Sequence, residues 1–359
     1  MFKKTALCIA LSALFVGVNT QAATIFESDN GDSIKIYGEV GVGGHISPNY
    51  EYAEFFEDKD YVDDSFATMG IKGNYQAVYY RLELDYEREN WKYGSGDMVL
   101  AIDKVFIGYN ITDDHAVEFG LTDTALDDYD KFGDFTFDTT VETGEAGDQA
   151  NTLKYEGSIA NFKMGASYSY EGESSSGAEL GDVINGYIGY FSKYVDVVAG
   201  AETRTGSEGK SKYGEQVLFA FGARAYITES FAIGFNAYLE DEDIAQVKAT
   251  IKEADFDSPA VEAFNDYQTL QNKGGLISAR YKLTPKWEVT GSYNYEEYEA
   301  WDIDSPYGVS PDKEYSWGKE RIWGTVGVNF KPYSSVIFAL EGNFGEAAQD
   351  AYAYARVYF

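Results

Sequence analysis

Very little in this chain can do covalent or redox chemistry. Among 359 residues there is one cysteine, Cys8, and there are two histidines, His45 and His115. Cys8 sits in an N-terminal stretch with the form of a secretory signal. Lys3 and Lys4 are followed by an apolar run from Thr5 to Val18 and a small-residue site at Thr20-Gln21-Ala22. The sequence therefore predicts a signal peptide over 1–22 and one exported domain over 23–359. That domain carries no cysteine, which excludes disulfides and cysteine-built metal sites within it. Past residue 22 no apolar run approaches the roughly 20 residues that a membrane helix needs. An exported chain of this kind either stays in the aqueous phase or crosses an outer membrane as strands. Basic residues are scarce as well. Without Lys3 and Lys4 the 28 basic residues become 26, against 60 acidic ones, a net charge of −34. Such a balance argues against nucleic acid as a partner and for a surface that attracts cations. Proline is low at 6, and no Pro- or Ser-rich linker divides the chain.

What the chain has in excess is glycine (37), tyrosine (31) and phenylalanine (23). That mixture suits long, twisted antiparallel strands. The last eleven residues show the pattern most cleanly. Ala351, Ala353, Ala355, Val357 and Phe359 share one face, and Tyr352, Tyr354, Arg356 and Tyr358 the other. The same alternation recurs from Ser33 onward and predicts sixteen strands. Connections after even-numbered strands are short, as at Ile227-Thr228-Glu229-Ser230 and Leu283-Thr284-Pro285-Lys286. Those after odd-numbered strands are mostly long and acidic, as at Gly44–Asp64 and Asp241–Lys273; the second is expected to hold a short helix near Ile244–Ala254. This sorting predicts an all-β transmembrane antiparallel barrel with short periplasmic turns and long extracellular loops. Aromatic residues gather near the strand ends, Tyr281, Trp287, Phe330, Tyr333 and Phe359 toward the turns and Tyr86, Tyr168, Tyr170, Tyr293 and Tyr295 toward the loops. These are the two levels at which a membrane girdle is needed.

Several short motifs carry a resemblance across the exported chain. They are Ile36-Tyr37-Gly38, Met69-Gly70-Ile71-Lys72-Gly73, Phe119-Gly120 and the terminal Phe359. The chain resembles the trimeric general porins of Gram-negative bacteria. That resemblance implies a sixteen-stranded barrel, a water-filled lumen, a homotrimer in the bacterial outer membrane, and contact with its lipid and lipopolysaccharide. It implies Phe359 as the C-terminal assembly signal, a third loop folded into the lumen, and no cofactor. The third loop here is Asp123–Ala150. Asp123, Asp127, Asp128, Asp130, Asp134 and Asp138 are its candidate constriction residues. On the facing wall the candidates are Lys35, Glu39, Thr68, Lys72, Arg81, Glu83, Lys104 and Arg356. The chain departs from the family here. Glu39 and Thr68 stand where the family often has lysine and arginine, and Leu121-Thr122 follows Phe119-Gly120 where an arginine is usual. A narrow aqueous passage lined by carboxylates favours cations and repels anions, so the expected function is passive diffusion of ions and small hydrophilic solutes with cation preference.

Three other functions are consistent with parts of the sequence. A substrate-specific oligosaccharide porin would use inward aromatics as a track; Tyr37, Tyr79, Phe106, Tyr226, Tyr238, Trp323, Tyr352 and Tyr354 are inward by alternation. A structural or adhesive barrel would have a closed lumen. An enzyme is not expected, because His45 and His115 fall on opposite sides of the membrane and no Ser–His or carboxylate–His pair can form between such places. The long acidic loops lack any calcium-loop spacing.

Overall fold

The structure is a computed structural model. It describes residues 22–49, 61–90, 95–137, 141, 143–174, 177–252, 261–298, 320–345 and 349–359. The expected signal segment up to residue 21, and Asp138, lie outside these. Alternating side chains draw the chain into sixteen long strands. The first four are β1 (Ser33–Asn49), β2 (Phe66–Tyr75), β3 (Val78–Asn90) and β4 (Ser95–Thr112). Next come β5 (His115–Asp123), β6 (Asp148–Ile159), β7 (Phe162–Glu173) and β8 (Glu179–Phe191). They are followed by β9 (Val195–Arg204), β10 (Tyr213–Tyr226), β11 (Phe231–Lys252) and β12 (Val261–Lys282). The last are β13 (Trp287–Tyr298), β14 (Glu320–Tyr333), β15 (Val336–Gly345) and β16 (Gln349–Tyr358).

Each strand pairs antiparallel with the next, and β16 pairs with β1, so the sheet closes on itself. Closure matters because an open strand edge in lipid would leave backbone groups unpaired. The seam is finished by Phe359 and Gly38, whose backbone N–H groups each donate to the other's carbonyl at 2.9 Å. Gly38 has to be glycine here, since a Cβ would strike the Phe359 ring and the Thr68 carbonyl. A short segment, Ala23–Glu27, doubles back along Ser33–Ile36, and Tyr61–Asp63 pairs with Gly44–Ile46.

The faces fall as alternation requires. Val42, Met69, Ile107, Phe219, Leu239, Ile277 and Val326 are exposed on the outside. Outside aromatics form two levels, with Tyr281, Trp287 and Tyr333 at one and Tyr86, Tyr168, Tyr170 and Tyr293 at the other. The turns after even strands are tight. Gln76 and Ala160 take positive φ at two of them, a strained choice for residues with a side chain. One element differs from expectation. Within Asp241–Lys273 the described residues form strand and not the expected loop with a helix. β11 and β12 run on as one ladder through Glu240↔Asn272 and Asp243↔Thr269 to Thr250↔Glu262. Polar residues at Asp241, Glu242 and Asp243 hid the strand, because above the membrane neither face needs to be apolar.

The lumen as candidate functional site

The third loop folds inward. Its root is β5, whose end at Asp123 pairs with Asp148 at the start of β6. From there the loop crosses the lumen, held at each step by polar side chains that point in from the wall. Ala125 N–H donates to Ser167 Oγ at 3.0 Å and Leu126 N–H to Asn185 Oδ1 at 3.3 Å. Asn236 Nδ2 donates to the Asp130 carbonyl at 2.8 Å, and Ser278 Oγ to the Gly133 carbonyl at 2.6 Å. On the far side Phe137 N–H donates to Glu341 Oε1 at 2.6 Å. The returning limb is held by Gln216 Nε2 on the Gly144 carbonyl at 3.1 Å and Glu202 Oε2 on Ala146 N–H at 3.1 Å. These bonds satisfy the backbone of a segment that would otherwise be buried and unpaired.

Apolar contacts complete the docking. Leu126 is fully buried against Gly200, where a Cβ would collide with it. Gly222 and Gly234 form a notch for Phe132 and Gly133; a Cβ on Gly222 would overlap the Phe132 carbonyl, and one on Gly234 the Gly133 carbonyl. Arg224 lies 4.2 Å from the Phe132 ring centre and Arg280 4.7 Å from that of Phe135. Such cation–π contacts hold the loop against the wall. At the tip Phe137 packs between Tyr352 and Tyr354 at 6.0 and 5.4 Å. Arg356 covers Phe66, Phe137 and Tyr354.

The loop acids separate into several environments. Asp123 pairs with Lys104. Asp127 and Asp128 start a short turn of helix, Asp127–Tyr129, and stay half-buried. Burial pushes the Asp127 carboxyl up to about 8, and the charges of Asp123, Asp130 and Asp128 add to it. Burial, with Asp123 beside it, takes Asp128 up to about 7, although Lys154 pulls the other way. Glu145 on the returning limb is raised well above the ordinary carboxylate range by burial and by Asp130 and Asp127. Asp130 caps Lys131 N–H at 2.5 Å. Asp134 accepts from Thr136 N–H at 2.8 Å and Thr136 Oγ1 at 2.7 Å, so it braces its own turn.

The expected wall residues also come together by neighbouring strands. Lys35 pairs in the ladder with Lys72, and Lys72 with Arg81, giving three cations side by side on β1, β2 and β3. Arg81 Nη2 is 2.7 Å from Glu83, and its Nε donates to Tyr37 OH at 2.5 Å. Lys72 stands 4.6 Å from the Tyr37 ring centre. Thr68 sits between Glu39 and Asp85 in the next row, and Glu39 is 3.8 Å from Arg356. Lys104 points inward, but it is bound to the root of the loop and not held across the pore from it. Arg224 and Arg280 were missed as loop-binding residues. Alternation places both inward, yet nothing local says that two phenyl rings will arrive there. A contact that the sequence did not suggest lies at the β1–β16 seam, where His45 Nδ1 is 2.6 Å from Asp350 Oδ2. Sequence separation hid this contact, because closing the barrel brings its two ends together. Asp350 is held in turn by Asn343 Nδ2 at 2.7 Å.

No protein-family model matches the sequence. Solved structures match over nearly the whole chain. A loop-deletion form of OmpT, an outer membrane protein of Vibrio cholerae, aligns with a TM-score of 0.65 at 17% identity, covering 91% of this chain and 99% of that one. Salmonella typhi OmpF, in a complex with daunomycin, aligns with a TM-score of 0.64 at 14% identity, covering 94% and 100%. An anion-selective porin from Comamonas acidovorans gives 0.60 at 10%, covering 91% and 100%. The chain has the porin fold. Identities this low carry the fold and no further. One porin-fold neighbour is anion-selective, so the fold does not decide which ions pass. That depends on the side chains of the lumen.

Proposed function

We propose that this protein is an outer-membrane channel for passive diffusion of cations and small hydrophilic solutes, assembled as a homotrimer. The observation that carries the reading is the third loop, which runs inward across the lumen of a sixteen-stranded barrel. Barrels of this size leave an aqueous passage unless plugged. Asp127, Asp128 and Asp130 remain partly exposed on that loop, where a cation would meet them. Screening over about 8 Å in physiological salt leaves these charges in control and mutes the acidic outer loops.

A dedicated sugar track is the weaker reading. Tyr238, Trp323, Tyr352 and Tyr354 are buried, at 2–4% exposed, and are used in packing beneath the loop. A liposome-swelling assay separates the two. Entry rates that fall smoothly with solute size, with no saturation, support the general channel. Saturable entry of one oligosaccharide would contradict it.

A further inference from the structure

We propose that Lys104 is a tethered counter-ion that latches both ends of the third loop together and sets how much of the loop's negative charge a passing cation meets. The inference rests on the channel reading above. Asp123 and Asp148 are the two points where the loop leaves and rejoins the wall, and they stand opposite each other in the β5–β6 ladder. Two carboxylates in that relation repel. Lys104 Nζ, on β4, reaches both. It pairs with Asp123 Oδ1 and bonds both oxygens of Asp148 at 3.0 Å, with Asp103 Oδ2 at 3.2 Å. Asp127 joins the group, since one oxygen each from Asp123, Asp127 and Asp148 lie within 4.8 Å of one another. Lys104 is 8% exposed. A buried ammonium is stable only when neighbouring carboxylates compensate it.

The arrangement has the form of a small cation site already filled by the protein's own side chain. While Lys104 occupies it, the charge of the hinge carboxylates is offset, although Asp148 itself is exposed. An ion from solution finds Asp127, Asp128 and Asp130, and not a closed group of three carboxylates. Lys104 is thus a positioning residue whose charge, and not only whose shape, matters.

The test compares K104M and K104R with the wild type in planar bilayers under a potassium chloride gradient, with and without millimolar calcium chloride. K104R is expected to match the wild type in both conditions. K104M is expected to show a stronger cation preference, and a conductance reduced several-fold by calcium where the wild type changes little. A K104M channel with wild-type selectivity and no calcium sensitivity would overturn the latch, as would K104R behaving like K104M. If K104M does not fold, D148N serves instead. It leaves Lys104 under-compensated and should weaken cation preference; an unchanged reversal potential contradicts the proposal. A wild-type channel with no cation preference would contradict only the selectivity reading, because the latch is judged on the difference between K104M and K104R.

Discussion

Asp127 and Asp128 carry different charges from those their formula suggests, because of where the loop leaves them. With their carboxyls raised to about 8 and about 7, both are partly neutral at pH 7. A carboxyl bears charge only above its own pKa, so the pore gains negative charge as pH rises from 6 to 9. Cation preference should increase over that window, and D127N/D128N should flatten the rise; reversal potentials measured at a series of pH values check both. The notch is a second prediction at this scale. Gly234→Ala places a methyl group against the Gly133 carbonyl, so the loop has to lift from the wall. Single-channel conductance should increase, with strand content by circular dichroism unchanged. Reading the sequence placed wall residues such as Lys104 and Arg224 inward, since alternation fixes which way a strand residue points. It could not assign partners. Lys104, Arg224 and Arg280 all face the lumen, but their carboxylates and rings arrive from a loop whose path depends on seven or more distant side chains.

The strands were the most legible part. Alternation over ten residues with turn chemistry between is a strong local signal, and all sixteen expected strands are present, with ends shifted by a few residues in all but β11 and β12. The error lay in β11 and β12. Their upper halves leave the membrane, so the apolar face that marks a strand below Leu239 is gone by Asp241, and only ladder pairing reveals them. The closing strand gives the prediction for this scale. Phe359 supplies two backbone hydrogen bonds to Gly38, each worth roughly 0.5–1.5 kcal/mol, and an apolar ring at the lipid boundary. Deleting it should leave β16 frayed at the seam. The fraction of heat-modifiable folded barrel on a gel should fall well below that of the wild type, while Phe359→Tyr should fold normally.

As a whole the molecule is a closed barrel crossed by one inward segment, and the proposed function rests on that segment. Sequence reading predicted the cylinder directly; the inward path of the third loop came through resemblance, because length and acidity alone do not say which way a loop folds. The structure supplies the reason in side chains on seven strands that take the loop's backbone. Chemical cross-linking of the purified protein in mild detergent should give a species of three protomers, as the channel reading requires. The most direct test of the central claim is the zero-current potential of the purified wild-type protein in a planar bilayer under a potassium chloride gradient at pH 8. The account predicts a potential displaced toward that of potassium, and smaller when Asp127, Asp128 and Asp130 are replaced by asparagine. A potential displaced toward that of chloride, or a membrane that conducts nothing, would contradict it.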